Sequence, residues 1–172
     1  MTAEQLIELP SGQHRYELIK GELLTMSPSG EEHGLLSATI ASLLFTFVKA
    51  NDLGVVYGAE TGFKLESDPD TVLAPDVAFI RKERVGHRSK GYRIGPPDVA
   101  VEVISPSEIA SQVERKVAQW LSFGTLSVWL VNPDSKTIEV VSVKGRSTFK
   151  ETDDLVDEVI PGLRLPLSEI FD

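Results

Sequence analysis

The chain has 172 residues, 41% hydrophobic and 25% charged, which is typical of one globular domain large enough to bury a core around a sheet. It has no cysteine, which excludes disulfides, zinc–thiolate sites and cysteine nucleophiles, so any metal must bind mainly through oxygen ligands. The formal net charge of −9 argues against a nonspecific nucleic-acid coat protein, because such proteins neutralise phosphates with basic side chains.

The N-terminal segment carries neither the basic region nor the apolar region of an export signal, and no apolar run approaches the length of a membrane span. We therefore expect a cytoplasmic protein without a membrane partner. No internal repeat or linker rich in Pro, Gly or Ser divides the sequence. The sequence thus predicts a single domain over residues 1–172.

A short helix and a hairpin are predicted at the start of the chain. Thr2 with Gln5 has the spacing of a helix-capping pair. The turn residues Lys20 and Gly21 separate two segments of strand-forming residues, RYELI and ELLTM. This arrangement favours an N-terminal β-hairpin.

The first long helix is predicted to begin at a capping box formed by Ser29 and Glu32 and to end before Gly54. Its apolar residues recur at helical spacing: Leu36, Ile40, Leu43, Leu44, Phe47 and Val48. Such a stripe is expected to pack against a sheet.

The middle of the chain is predicted to form short strands, with the sequences VVYGA, TGFKL, VAFI and DVAVEVI. Asp68-Pro69-Asp70 marks a turn after TGFKL. A second helix is predicted from about Glu108 to Phe123, with Gly124 at its C-terminal cap. This strand–helix succession indicates an α/β (α+β) fold with one mixed sheet between helices.

The C-terminal third is predicted to add further strands. The segments LSVWLV and TIEVVSV are separated by a turn, and Lys144-Gly145 predicts another hairpin. Leu163, Leu165 and Leu167 then alternate as in a strand. We expect these segments to extend the sheet.

Charge is unevenly distributed along the chain. Residues 81–97 contain six basic residues and one acidic residue, whereas residues 150–172 contain two basic and seven acidic ones. A net-acidic enzyme can still present a basic strip to a polyanion. The stretch from Arg81 to Arg93 is therefore either a phosphate-binding loop or simply a solvated one.

Glu102 is the sharpest anomaly of the sequence. It interrupts the segment VAVEVI, in which every neighbour predicts burial on both faces of a sheet. An unpaired carboxylate buried there would cost several kcal/mol or take up a proton. We interpret Glu102 as a functional residue, the alternative being a structural glutamate paired with a buried base.

Asp76 follows Pro75 at the entry to the VAFI strand, a position more often occupied by a turn residue than by a ligand. Alternation along the strand predicts that Asp76, Ala78 and Ile80 share one face, and that Val77 and Phe79 share the other.

Lys116 is predicted to lie at the edge of the buried stripe of the second helix. On a helical wheel with Val113 at zero, Lys116 falls at about −60° and Val117 at about +40°. Lysines in such positions usually reach water. Because this helix follows Glu102 and packs back on the same sheet, its ammonium could also reach the carboxylates.

Two carboxylates and a lysine suit the hydrolysis of a phosphodiester. Carboxylate oxygens bind magnesium, and a bound metal lowers the pKa of a water and stabilises charge on the phosphate. The lysine can steady the nucleophile or the phosphate oxygens.

Motifs along nearly the whole chain resemble the Uma-type family of restriction endonucleases, a branch of the PD-(D/E)XK nuclease superfamily. The segments that carry the resemblance are RYELIKGELLTMSP, ETGFKL, APDVAFI, PDVAVEVISPS, ERKVAQWLSFG, VWLVNP and IPGLRLPLSEIF. The resemblance implies a restriction-endonuclease-like αβββαβ core and magnesium dependence, with manganese as a substitute. It further implies Asp76 and Glu102 as metal ligands and Lys116 as the catalytic lysine.

One position departs from the superfamily pattern, which would place a lysine where this chain has Ile104. The resemblance implies that the lysine has moved to the following helix, as Lys116. Glu17, His33 and Glu60 are further candidates for the site. For each of them a surface position without a function is at least as strong an interpretation. Glu17 would then be an exposed glutamate of a strand, His33 a surface residue at the start of a helix, and Glu60 a surface charge on an edge strand.

The leading hypothesis is a magnesium-dependent endonuclease acting on DNA, with the Arg81–Arg93 loop contacting phosphates. The first alternative is a catalytically weak or inactive nuclease fold that serves as a binding or regulatory module. A hydrolase of smaller phosphoesters is a third, because two carboxylates and a metal do not specify the leaving group. We expect a homodimer, since exposed edge strands invite pairing and nucleases that cut both strands are commonly dimers.

Overall fold

The structure is a computed structural model that describes residues 1–10 and 14–172. The described residues form helices and strands that are numbered in chain order. The helices are Ala3–Ile7 (α1), Glu31–Ala50 (α2) and Ala110–Ser122 (α3), with short 3-10 turns at Lys82–Arg84 and Leu167–Glu169. The strands are Arg15–Ile19 (β1), Glu22–Met26 (β2), Gly54–Tyr57 (β3), Phe63–Glu66 (β4), Thr71–Leu73 (β5), Val77–Arg81 (β6), Arg93–Ile94 (β7), Val99–Val103 (β8), Ser127–Asn132 (β9), Thr137–Ser142 (β10), Gly145–Lys150 (β11), Asp154–Leu155 (β12) and Leu165–Pro166 (β13).

The main sheet has six strands in the order β11-β10-β9-β8-β6-β3. Strands β8 and β9 are parallel and are joined through α3, whereas the other neighbours are antiparallel. In chain order, α2, β3, β6, β8, α3 and β9 form the predicted αβββαβ core. The fold class inferred from the sequence is therefore confirmed.

A second sheet, of five strands in the order β2-β1-β5-β4-β7, is additional to the one sheet that the sequence predicted. It contains the predicted hairpin of β1 and β2, whose two-residue turn is Lys20-Gly21. Strand β5 was missed because it has only three residues. Strands β4 and β5 lie between β3 and β6 in the chain and β7 lies between β6 and β8, whereas β1 and β2 precede all strands of the main sheet.

The two faces of the main sheet have different covers. Helix α2 and the C-terminal segment cover one face through a core that includes Leu36, Ile40, Leu44, Val77, Phe79, Val101, Trp129, Ile160 and Leu167. Helix α3 and the second sheet cover the opposite face through Phe63, Leu73, Ala78, Ile80, Ala100, Val113, Val117, Trp120, Val128 and Leu130. Helix α1 closes the outer side of the second sheet. Glu102 lies on the α3 side, because it shares a face with Ala100.

The predicted helix starts were partly right. Thr2 and Gln5 form the predicted capping box of α1. Helix α2 begins at Glu31 after Gly30, without a side-chain cap, so the predicted box of Ser29 and Glu32 is wrong. The Ser29 hydroxyl instead accepts a hydrogen bond from Arg15.

Two further boundaries differ from those predicted. Helix α3 begins at Ala110, because the side chain of Glu108 accepts a hydrogen bond from the Ser105 N–H in the preceding turn. In the leucine-rich tail only Leu165 lies in a strand, and Leu167 begins a 3-10 turn. The tail fills the core rather than extending the main sheet.

By length and composition alone, helix α2 could cross a membrane. This differs from the expectation that no apolar segment approaches the length of a membrane span. In the structure its buried side chains face the main sheet and form part of the core. They are Leu36, Ser37, Ile40, Leu44 and Val48.

Candidate active site

Strand register brings Asp76 and Glu102 side by side. Strands β6 and β8 are antiparallel, and Val77 lies opposite Val101. One step outward along each strand, Asp76 is therefore opposite Glu102, and the Asp76 N–H donates to the Val101 carbonyl at 3.0 Å. The two acids, 26 positions apart in the sequence, meet at one end of the sheet.

The Asp76 carboxylate is buried and held by three donors. Oδ2 accepts the Val103 N–H at 2.8 Å and lies 3.2 Å from Nε2 of His33. Oδ1 lies 3.3 Å from a guanidinium nitrogen of Arg15. Burial by itself would raise the pKa of Asp76, but the hydrogen bonds from His33 and Val103 hold it below its ordinary value. Asp76 is therefore ionised near neutral pH.

The Glu102 carboxylate is also buried, with 8% of the residue exposed. Its Oε1 accepts a hydrogen bond from the Trp120 indole at 2.8 Å, and its Oε2 lies 3.6 Å from Nζ of Lys116. Burial raises the pKa of Glu102 to about 7, and the nearby charges of Asp76 and Glu17 act in the same direction against that of Lys116. The site thus carries crowded negative charge that a cation would relieve.

Lys116 lies at the edge of the buried stripe of α3, as the helical wheel predicts, and its side chain extends toward Glu102. Its ammonium lies 2.7 Å from the Glu108 carboxylate as well as 3.6 Å from that of Glu102. Burial opposes the charged form, but these carboxylates hold the pKa of Lys116 above its ordinary value. Lys116 is therefore a permanent cation and not a general base near neutral pH. Glu108 was not identified as a site residue from the sequence, which predicts it only as the start of the second helix.

Strand β1 of the second sheet supplies two more charged groups. Glu17 is half-buried, contrary to its expected exposure, and accepts the Ala74 N–H at 3.0 Å. Burial, as the largest cause, raises the pKa of Glu17. Arg15 lies two residues earlier on the same face and contacts Asp76, but sequence reasoning missed it. The alternation of Arg15 and Glu17 in a predicted strand was the available signal.

His33 and Glu60 both line a cleft beside Asp76. The structure gives His33 a contact with Asp76 rather than the surface position expected of it, and that hydrogen bond raises the pKa of His33. Glu60 is exposed on the other side of the cleft. The cleft has a volume of ≈ 370 Å³ and is lined by Arg15, Pro28, Ser29, His33, Gly34, Ser37, Ala38, Ala41, Gly58, Ala59, Glu60 and Asp76.

The basic stretch lies at the opposite end of the central strands. Arg81 and Arg84 both bind the carboxylate of Asp98, at 3.0 and 2.7 Å, and Asp98 is fully buried at the start of β8. Lys82 pairs with Asp52. Arg81 and Arg84 therefore neutralise a buried acid and have a structural role, while the hypothesis that this loop contacts phosphates stays a prediction.

A larger groove, of ≈ 820 Å³, lies against β10 and β11 and includes Arg81, Val143, Arg146 and Glu158. Neither Asp76 nor Glu102 is among the described residues that line this groove. We place the candidate active site at the carboxylates, because size alone does not supply chemistry.

Comparison with known proteins identifies the family and the fold. The model of the Uma2 family, described as "Putative restriction endonuclease", matches residues 3–168. The chain belongs to the Uma2 family. A solved structure, described as a putative nuclease belonging to DUF820 from Anabaena variabilis ATCC 29413, matches with a TM-score of 0.80 and 23% identity. The match covers 99% of this chain and 97% of that one, and it shows a shared fold. No curated protein matches the chain.

The donors in this Uma2 protein fit a hard divalent cation. Among the described residues, no group of three or more His, Cys, Asp or Glu side chains is arranged as a metal centre. Magnesium, however, commonly uses one or two protein carboxylates and completes its shell with waters and phosphate oxygens. Glu102 could use Oε2 as a ligand. Asp76 could use Oδ1, because the contact of Oδ1 with Arg15, at 3.3 Å, is the longest of the three contacts that the Asp76 carboxylate makes. These two carboxylates could hold the cation.

Proposed function

We propose that this Uma2 protein is a magnesium-dependent endonuclease that hydrolyses phosphodiester bonds in DNA. The observation that carries the proposal is the convergence of Asp76, Glu102 and Lys116 at one end of the sheet. Glu102 is buried near the carboxylates of Asp76 and Glu17, and a bound cation would offset the negative charge gathered there. Membership of a restriction-endonuclease family supports the same activity.

Asp76 and Glu102 would bind the metal, with manganese as a substitute for magnesium. When bound, such a cation lowers the pKa of a coordinated water and stabilises charge developing on the phosphate. The chain's own cations would add to this stabilisation. Lys116, which stays protonated, is suited to hold a phosphate oxygen or the attacking water. Arg15 is suited to bind the phosphate, because its guanidinium already lies beside Asp76.

Plasmid cleavage with magnesium or manganese tests the assignment. We expect Asp76→Ala, Glu102→Gln and Lys116→Ala each to lower the cleavage rate by at least about a hundredfold, whereas Lys144→Ala should retain wild-type cleavage. Lys144 is the matched control because it pairs with Glu158 at the surface, away from the carboxylates. Equal cleavage by all five proteins would point to a contaminating nuclease and remove the support for this site.

A second function is a nuclease fold that binds nucleic acid with little turnover. One observation favours it: both oxygens of Asp76 already have protein partners, so a cation must displace or share at least one of them. In that case purified protein would bind oligonucleotides but leave plasmid uncut at any magnesium or manganese concentration. Binding would then also persist in Glu102→Gln.

We also propose a homodimer, consistent with cleavage of both strands. Strand β2 lies at the edge of the second sheet and exposes Leu23 and Leu24. An apolar edge strand without lysine or proline is open to pairing with another strand. Sedimentation equilibrium of wild type beside Leu24→Lys tests this, and a monomeric wild type would contradict it.

A further inference from the structure

The cleft beside Asp76, called here the α2 cleft, lies between α2 and the loop at residues 58–60. Its volume of ≈ 370 Å³ is at the small end of the range of ligand pockets, which is about 300–1,000 Å³. Such a space suits one small group rather than a double helix. The nuclease assignment uses Asp76 and Arg15 at one end of the α2 cleft and leaves the rest of the cleft without a role.

The walls of the α2 cleft consist largely of small residues. Helix α2 contributes Gly34, Ala38 and Ala41, and the facing loop contributes Gly58 and Ala59. A Cβ atom added at Gly34 or Gly58 would meet nothing within 4 Å, so the space beside both glycines is open. The space between α2 and this loop, called here the slot, therefore has small and predominantly apolar sides.

The inner end of the α2 cleft is polar and contains Arg15 and His33 beside Asp76. Arg15 bridges Ser29 and Asp76 through one guanidinium nitrogen, while its buried Nε has no hydrogen-bond partner among the described groups. The Arg15 guanidinium is therefore only partly paired within the protein, and a guanidinium favours an anionic oxygen as its partner. His33 lies at the same end, 3.2 Å from Asp76.

We propose that the α2 cleft binds a single unpaired nucleotide of the DNA substrate. Its base enters the slot between α2 and the 58–60 loop, and the phosphate at its side lies against Arg15, next to the carboxylates. Enzymes that act on nucleic acids commonly hold an unpaired base in such a pocket, through contacts with its faces. This inference rests on the proposed function, because it places the nucleotide next to the phosphate that is cleaved.

Binding of fluorescein-labelled single-stranded DNA and of the matching duplex tests the proposal. The assay measures fluorescence anisotropy in calcium, which shares the preference of magnesium for oxygen ligands. We expect the single strand to bind more tightly than the duplex. Ala38→Leu, which fills the slot, should weaken single-strand binding about tenfold. Ala118→Leu, an equal enlargement at an exposed position of α3, should leave it unchanged.

Ala38 is exposed on α2, so its enlargement does not disturb the core, and thermal unfolding of both variants verifies that they fold. Tighter binding of duplex than of single strand, or equal single-strand binding by Ala38→Leu and wild type, overturns the proposal. The cleavage experiment remains separate. Loss of plasmid cleavage in Glu102→Gln together with normal binding by Ala38→Leu supports the nuclease and rejects the slot. Weakened binding by Ala38→Leu in a protein that never cleaves DNA supports the slot and rejects the nuclease.

Discussion

The indole Nε1 of Trp120 donates a hydrogen bond of 2.8 Å to Oε1 of Glu102, and both residues are buried. Trp120 is itself fixed, because its ring packs edge-on against Phe63 in the second sheet. The bond occupies one carboxylate oxygen and directs the other, Oε2, toward Lys116. Trp120 is thus a positioning residue that decides which oxygen of Glu102 is available to a ligand.

Trp120→Phe keeps an aromatic ring but removes the N–H donor. We expect about tenfold weaker binding of manganese, because Glu102 loses its fixed orientation, and a stability loss of about 1–3 kcal/mol. Isothermal titration with manganese measures the first quantity and urea unfolding the second.

Trp129→Phe is the control for this change. Trp129 donates an equivalent hydrogen bond of 2.7 Å to Asp157, but it belongs to the core on the α2 side of the sheet. We expect Trp129→Phe to lose stability while binding manganese normally. Equal metal affinity of the two variants would contradict a positioning role for Trp120.

Glu102 should make the stability of the metal-free protein depend on pH. Because its pKa rises from 4.5 to about 7 on folding, the folded state keeps a proton that the unfolded state releases. The free energy of unfolding of wild type should therefore fall, relative to that of Glu102→Gln, as the pH rises through this window, by up to about 3 kcal/mol. Urea unfolding in EDTA across this range measures the difference. Parallel pH profiles would show that Glu102 ionises normally.

Asp98 should be a strong determinant of stability. It is fully buried and binds the side chains of Arg81 and Arg84 and the Arg81 N–H. Asp98→Ala leaves these donors without their acceptor, so we expect a loss of about 3 kcal/mol. Asp134→Ala, at an exposed turn, should change stability by less than about 0.5 kcal/mol. Similar urea midpoints for both variants would refute the structural role given to the basic stretch.

Gly54 should tolerate no side chain. A Cβ atom there would lie 2.0 Å from the Ile80 carbonyl oxygen, and its φ of +153° is rare for other residues. We expect Gly54→Ala to destabilise the protein by at least about 3 kcal/mol, because β3 must move away from β6. In thermal unfolding, Gly91→Ala should behave as wild type, since its Cβ meets nothing within 4 Å. An unchanged melting temperature of Gly54→Ala would show that the β3–β6 pairing is looser than described.

The sequence predicted the parts of the fold that depend on local pattern. The long apolar stripe of α2 and the buried run of β8 identified the layers, and alternation correctly assigned Val77 and Ala78 to opposite faces of the sheet. The second sheet was not predicted because its order depends on pairings between distant segments, such as β1 with β5. Such pairings leave no periodic trace in the sequence.

Two residues of the candidate site could be singled out from local pattern. Glu102 could be found because it violates the apolar pattern of its strand, and Lys116 because helix geometry fixes its direction. Arg15 was missed and His33 was only a secondary candidate, since each looks like an ordinary surface residue in its own element. Their contacts with Asp76 arise only from tertiary packing, across 61 residues for Arg15. When the sequence pattern predicts that a charged residue is exposed, its role cannot be assigned until the element that packs against it is known.

The two tryptophans of the chain are placed on opposite faces of one sheet, each with its indole N–H on a buried carboxylate. Indole emission is sensitive to nearby charge and to hydrogen bonding, so each tryptophan is a natural optical probe of its own layer. In Trp129→Phe, the remaining emission would come from Trp120 alone. That variant would therefore be a single-tryptophan protein whose fluorescence follows the charge on Glu102, and it could report the arrival of a cation without any attached label.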